Sequence, residues 1–281
     1  MKTTLLKAIL LCLTPALAHA GEDINSVSDP AGSGTLPFVG RVLQDTTRGG
    51  RGAEPTSLRV NVSHEKLSNN LQDWREYGLT IKHDLDERHF VEAGVLCTSR
   101  FDLEDNQING LYLVKVTTDL VATIEGNVSP THRVLPKYAI GGAVNYTFLP
   151  ATVGQFGLKT TAYDETRVHQ VTLGAERYIG AFSLGINWRP SRAFGEWVHG
   201  SEARANYYYG ARSSVGMLLA AGQEVTPIGQ FKTIARVRAA ALIGQHWLNQ
   251  DWAVSYAISR TRQGEFYDRT GAAIGLRYAL R

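Results

Sequence analysis

The sequence predicts an all-β fold, namely a transmembrane, antiparallel, up-and-down β-barrel of about fourteen strands, with twelve strands as the alternative. Three observations support this prediction. The chain opens with an export signal, it contains no later stretch of about 18 apolar residues, and segments of alternating bulky and small side chains repeat along it. A membrane protein without spanning helices has to be a closed barrel, because the bilayer core offers no water to unpaired backbone groups.

The first element is the export signal in residues 1–20. It contains two lysines, then the apolar run "AILLCL", then "AHA". A charged start, a short apolar run and a small-x-small motif are typical of a cleaved secretory signal peptide. A retained membrane anchor would need about 20 apolar residues, so the sequence predicts cleavage before Gly21.

Residues 21–56 form the second element, a polar leader that contains "DPAGSGT" and "TTRGGRG". Its low apolar content predicts a flexible periplasmic segment. The 29 basic residues of the chain, less the two lysines of the signal, leave 27 against 26 acidic residues. This balance predicts no nucleic-acid partner.

Residues 57–281 show the alternation expected of membrane-spanning strands, in segments of roughly ten residues separated by turn signals. The fourteen segments are "SLRVNVSHE", "WREYGLTIKH", "HFVEAGVLCTS", "INGLYLVKVT", "DLVATIEGNV", "KYAIGGAVNYTF", "TVGQFGLKTTAY", "RVHQVTLGAERY", "AFSLGINW", "EARANYYYGA", "SVGMLLAAGQE", "QFKTIARVRAAAL", "WAVSYAIS" and "RTGAAIGLRYAL".

The connections between these segments alternate in length. Tight connections such as "DLDE" and "YIGA" alternate with mostly longer ones such as "SPTHRVLP" and "RPSRAFGEWVHGS". Short periplasmic turns and longer extracellular loops are typical of outer-membrane barrels. An even strand count places every tight turn on one side, and both termini are then expected in the periplasm.

The segment "YAIGGAVNYTF" shows what each strand face is expected to contact. Its bulky side chains share one parity, and its small or polar side chains share the other. A soluble β-sandwich would bury the bulky face in a core, whereas a membrane barrel turns it toward lipid. Charges in mid-strand on the opposite face and aromatic residues near segment ends favour the barrel. Those aromatic residues are Trp74, Tyr138, Tyr146, Phe148, Phe182, Trp188, Trp252 and Tyr278.

Four stretches resemble the YaiO family of outer-membrane β-barrel proteins: "SPTHRVLPKYAIGGAVNYTF", "LGAERYIGAFSLG", "YYYGARSSVGMLLAAGQE" and "FYDRTGAAIGLRY". The resemblance extends over about residues 57–281 and implies integration into the bacterial outer membrane, with outer-membrane lipid around the barrel. It also implies insertion by the barrel-assembly machinery, which recognises an aromatic residue at the end of the last strand. Tyr278 and Leu280 occupy that alternating frame and are the candidate assembly signal.

No pattern in the sequence indicates catalysis. The chain has no G-x-S-x-G, no H-E-x-x-H and no cysteine and histidine spacing typical of a metal site. The sequence therefore predicts no enzyme, no cofactor and no metal. A hydrolase on the barrel rim, with His132 or His199 as its base, is the least favoured alternative.

Parity predicts which charged side chains line the lumen, and it gives two interpretations of the protein. The predicted lining residues are Glu125, Lys159, Glu176, Arg204, Glu224, Lys232, Arg236, Arg238, Arg269 and Arg277. The first interpretation is a channel for small polar or anionic solutes, oligosaccharide included, with the arginines favouring anions. In the second, inward ion pairs fill a non-conducting structural barrel that serves the envelope or a surface-polysaccharide system.

Overall fold

The computed structural model describes residues 56–210, 212–228 and 231–280. The predicted signal peptide, and all of the predicted leader except Thr56, lie outside the described residues. The strands are β1 Thr56–Leu67, β2 Trp74–Asp84, β3 His89–Arg100, β4 Leu103–Lys115, β5 Leu120–Val128, β6 Tyr138–Leu149, β7 Thr152–Ala162, β8 Arg167–Ile179, β9 Phe182–Ala193, β10 Glu196–Tyr209, β11 Ser213–Ile228, β12 Phe231–Trp247, β13 Trp252–Gln263 and β14 Tyr267–Leu280.

These fourteen strands form one closed antiparallel barrel, which confirms the larger of the two predicted strand numbers. Each strand pairs with its neighbour in the chain, and β1 closes the ring by pairing with β14. That closing ladder runs from Thr56 opposite Leu280 to Leu67 opposite Arg269. The described residues include no helix long and apolar enough to cross a membrane.

The two ends of the barrel differ less than the sequence predicts. One end, the turn end, holds residues 56 and 280, the connections 85–88, 116–119, 150–151, 180–181 and 248–251, and the junction at which β10 ends and β11 begins. The other end, the loop end, has described connections at 68–73, 101–102, 129–137, 163–166, 194–195 and 264–266. The prediction of a long loop at "RPSRAFGEWVHGS" is wrong, because β9 and β10 extend through this segment and leave a turn of two residues.

The strand faces follow the predicted alternation. On β6 the bulky residues point outward, with Ile140 59% exposed, whereas Ala139 on the opposite face is 4% exposed. Outward aromatic residues gather near the turn end, where Tyr146, Phe182 and Trp252 lie. Such a girdle matches the interface between acyl chains and water. Trp74 was also predicted to be an interfacial aromatic residue and is an exception, because it lies at the loop end, points into the barrel and is 1% exposed.

The Asp86 carboxylate stabilises the β2–β3 turn through hydrogen bonds, and its contribution to stability can be tested by changing the pH. Its carboxylate accepts hydrogen bonds from the His89 ring at 2.7 Å and from the backbone amides of Arg88 at 2.7 Å and His89 at 2.8 Å. These bonds, with the His89 ring contributing most, lower the pKa of Asp86 from 3.8 to about 2.

We expect Asp86→Ala to lower the thermal stability of the barrel at neutral pH. A lowered folded-state pKa stabilises the protein above pH 3.8, and this stabilisation is lost as the pH falls toward 2. The difference in Tm between wild type and variant should therefore shrink between about pH 4 and pH 2. A constant difference across that range would mean that the carboxylate charge is not what stabilises the turn.

Candidate functional site

The inner wall of the barrel has two unequal parts. On β1 and β14 every inward side chain is buried, and most inward side chains of β11 to β13 are buried as well. On β3 to β10, by contrast, many inward side chains near mid-strand keep partial exposure. We call β11–β14 with β1 the packed half and β3–β10 the accessible half. Among the described residues, most inward side chains that reach solvent in the lumen belong to the accessible half.

The packed half is lined largely by small or apolar side chains. Leu218, Val237, Ile243, Ala257 and Ala273 belong to one buried cluster that extends across β11 to β14. Three predicted lining residues also lie in this half and point inward, but they are buried: Glu224 is 2% exposed and Arg269 and Arg277 are each 8% exposed. Glu224 accepts a hydrogen bond of 2.5 Å from the Gln263 amide.

In the accessible half an ion pair crosses β6. The Lys159 ammonium on β7 lies 2.7 Å from the Glu125 carboxylate on β5, and these side chains are 21% and 38% exposed. The pair passes over Gly141, where an added Cβ would lie 3.3 Å from the Lys159 side chain and 3.1 Å from the Leu158 carbonyl oxygen. Glycine therefore gives the lysine room to reach its partner.

A second charged group surrounds Glu202 on β10. Arg189 lies 2.9 Å and Arg204 3.5 Å from its carboxylate, and the amide of Asn187 donates to it at 3.4 Å. Glu202 itself is buried, whereas both arginines keep some exposure. Of the predicted lining residues, Glu125, Lys159, Glu176 and Arg204 thus all lie on β5 to β10 with partial access to the lumen.

Amide side chains form a row across β6 to β9, and no pattern in the sequence indicates them. Asn145 on β6 is opposite Gln155 on β7, and Asn187 on β9 continues the row beyond Gly174 on β8. All three amides point inward and are partly exposed. Each amide can donate and accept hydrogen bonds. The accessible half therefore suits uncharged polar groups as well as ions.

The β5–β6 connection covers part of the lumen at the loop end. The Asp105 carboxylate, on the inner face of β4, accepts hydrogen bonds from the backbone amides of Val134 at 2.6 Å and Leu135 at 2.8 Å. Both loop side chains are buried. Because Asp105 points into the barrel, the loop lies against the inner wall and narrows the mouth.

An aromatic and ionic cluster joins the first and last strands at the mouth. The Trp74 indole lies between two arginines, with the guanidinium carbons of Arg100 and Arg269 at 4.8 and 4.5 Å from its ring. Arg100 is paired with Glu76 at 2.8 Å, and Arg269 with Glu65 at 3.1 Å. The Phe101 and Tyr267 rings pack edge-on to Trp74. We call this group the tryptophan clamp.

The prediction that Lys232, Arg236 and Arg238 line the lumen is wrong. Alternate residues of β12, including Ala235, Val237 and Ile243, are the buried inward ones, and both arginines lie exposed on the outer face with Leu242. Lys232 is exposed at the loop end, where its ammonium donates to the Phe194 carbonyl oxygen at 2.5 Å. The inward positions of β12 belong to the buried apolar cluster of the packed half, so the charged side chains of this strand point outward.

The candidate assembly residues lie on the outer wall at the turn end of β14. Tyr278 and Leu280 are 36% and 41% exposed, and the Tyr278 ring lies 4.6 Å from that of Trp252. They are accessible from the membrane side of the strand. Their role in assembly stays a prediction.

The two histidines considered for catalysis are far from forming a triad. His199 is exposed on the outer face, where it stacks on Trp188 at 5.7 Å. His132 pairs through Nε2 with Asp164 at 3.0 Å, and its Nδ1 has no hydrogen-bond partner among the described residues. Across the described ranges, no group of three or more histidine, cysteine or acidic side chains is placed to hold a metal ion.

Comparison with known protein families assigns this barrel to one of them. Residues 55–224 match the YaiO membrane β-barrel domain. The chain belongs to that family. The matched region extends from the start of β1 to Glu224 in β11, so this YaiO-family barrel continues through three further strands beyond it. No curated protein matches the chain.

Solved structures similar to this YaiO-family barrel include outer-membrane channels. The CymD monoaromatic hydrocarbon channel shares 11% identity, with a TM-score of 0.59 and coverage of 90% of this chain and 97% of that one. A bacterial polysaccharide outer membrane secretin shares 8% identity, with a TM-score of 0.53 and coverage of 81% and 99%. At these identities the likeness supports the barrel fold and does not transfer a substrate.

Proposed function

We propose that this outer-membrane barrel is a passive pore for small polar solutes, which pass along the accessible half of its wall. The observation that supports the proposal most directly is the partial exposure of inward polar groups on β3 to β9, with Lys159 and Glu125 as the clearest examples. A filled barrel would bury such groups on all sides, as the packed half does on β14 and β1.

The charged side chains of the accessible half do not predict a strong preference for anions. Three basic side chains, Lys159, Arg189 and Arg204, are balanced by three acidic ones on the same strands, β5 to β10, namely Glu125, Glu176 and Glu202. Two of the arginines on which an anionic cargo was predicted lie on the outer wall, and two others are buried. The amide row of Asn145, Gln155 and Asn187 instead suits neutral polyhydroxylated solutes, short oligosaccharides among them, because hydroxyls both donate and accept hydrogen bonds.

We expect refolded protein in a planar bilayer to give steady conductance steps, and Lys159→Glu to shift the reversal potential toward cations. This substitution places a second carboxylate beside Glu125 on an accessible wall. Arg236→Glu combined with Arg238→Glu is the matched control, since it changes more charge but on the outer wall. A selectivity change in the control and none in Lys159→Glu would contradict the proposed path.

The second candidate is a non-conducting structural barrel, and the packed half and the β5–β6 loop favour it. The loop lies against the inner face of β4, and most inward side chains of β11 to β14 are buried, so that side offers solvent no open path. Correctly inserted but electrically silent protein would support this candidate. We propose no catalytic role. A background rate of hydrolysis in His132→Ala and His199→Ala equal to that of wild type would agree with this.

A further inference from the structure

The outer wall carries a patch of basic side chains near the loop end of two neighbouring strands. Its members, which we call the outer arginine patch, are Arg236 and Arg238 on β12 and Arg260 and Arg262 on β13. All four are exposed on the same outward face as Leu242 and Ile258. These arginines are therefore available to whatever surrounds the barrel.

The positive charge of the patch is largely uncompensated. Arg238 and Arg262 are direct cross-strand partners on one face, an arrangement of like charges that destabilises a sheet. Over the described part of the chain, the single ion pair of these four arginines joins Arg260 to Asp268 at 3.3 Å, and the Arg260 side chain stays 75% exposed. Such an arrangement is explained if an anion from outside the protein lies between the guanidinium groups.

The patch lies where the apolar surface ends. Trp252, in the turn-end girdle, is eight residues from Arg260 on the same face of β13. At about 3.3 Å per residue and a tilt of about 40°, this separation spans roughly 20 Å along the membrane normal, close to the height of the apolar band. Ile258 and Leu242, opposite each other and one step closer to the bilayer centre, provide an apolar surface below the charges.

We propose that the outer arginine patch binds the phosphate groups of a membrane lipid, the phosphorylated glycolipid lipid A of the outer leaflet. Guanidinium groups bind phosphate oxygens in bidentate geometry and carry less tightly held water than ammonium groups. A lipid phosphate between Arg238 and Arg262 offsets the repulsion between the two guanidinium groups. The acyl chains of the same lipid contact Ile258 and Leu242. The loop end then faces the outer leaflet, in agreement with the predicted periplasmic termini.

The test uses the refolded full chain in zwitterionic detergent, titrated with lipid A and followed by native mass spectrometry. We expect Arg238→Gln combined with Arg262→Gln to weaken binding roughly tenfold or more at low ionic strength, since each basic residue near a lipid surface contributes about fivefold. Arg167→Gln combined with Arg192→Gln is the matched control. It removes the same charge from outward positions at the loop end of β8 and β9, and should leave binding unchanged.

Three results would overturn the proposal. Equal weakening in the two double variants would mean general charge attraction. Equal binding of wild-type protein to lipid A and to its phosphate-free counterpart would exclude phosphate recognition, and this comparison does not depend on the folding of any variant. Displacement of lipid A by an equal concentration of inorganic phosphate would identify a free-anion site instead of a lipid site.

Discussion

Val144→Arg should lower the free energy of unfolding of the barrel by roughly 2–4 kcal/mol, the cost of an arginine facing lipid at the bilayer centre. Val144 is 40% exposed on the outer face of β6, six residues from Tyr138 and four from Phe148, and so near the centre of this stretch. Those ten residues span about 25 Å of the membrane normal, the height of a typical apolar band. Urea unfolding in lipid vesicles, followed by tryptophan fluorescence, measures the loss.

Two control variants on β6 distinguish the effect of depth in the membrane from the effect of the strand face on which the arginine lies. Ile140→Arg lies on the lipid face but only two residues from Tyr138, and we expect it to cost about 1 kcal/mol because the side chain reaches the interface. Asn145→Arg places the same charge in the partly exposed lumen and should cost less than Val144→Arg. A larger loss for Asn145→Arg than for Val144→Arg would mean that the two faces are reversed.

Glu76→Leu should destabilise the barrel by roughly 3–5 kcal/mol, because it removes one partner of a buried ion pair. Glu76 and Arg100 have side chains 7% and 4% exposed, and the carboxylate also accepts a hydrogen bond of 3.2 Å from the Thr98 hydroxyl. The leucine leaves the Arg100 charge in the tryptophan clamp without this carboxylate. The same unfolding experiment measures the effect.

Asp268→Leu is the control for the ion pair, since it removes the carboxylate of the exposed Arg260–Asp268 pair. Exposed ion pairs contribute at most about 1 kcal/mol, so this variant should remain close to wild type. Similar losses in Asp268→Leu and Glu76→Leu would show that burial does not set the strength of the clamp.

The architecture was predictable because alternation is a local property of the chain. The bulky parity of Tyr138, Val144 and Phe148 determines which face of β6 contacts lipid, and the strand count follows from repeating that pattern. Strand ends were less predictable. Pro190, Ser191 and Arg192 resemble loop residues, yet β9 extends through them to a turn at 194–195.

The lumen was only partly predictable, because alternation assigns a face only where one parity is clearly bulkier than the other. On β12 both parities carry apolar side chains, Leu242 on one and Val237 on the other. The prediction that Arg236 and Arg238 line the lumen therefore chose the wrong face. Near the interface an outward arginine costs little, so charge alone does not identify the inner face there. Trp74 shows the opposite case, an aromatic residue near a strand end that packs inside the mouth.

The tryptophan clamp has a consequence for the order in which the barrel forms. It joins side chains far apart in the chain, with Glu65 and Arg269 separated by 204 positions. The entropy cost of closing a loop rises with its length, and proteins dominated by such distant contacts fold slowly. The clamp can therefore form only after the last hairpin reaches β1. At that moment the Trp74 indole leaves water for a site between two guanidinium groups and two aromatic rings, so its emission should report the time at which the ring closes.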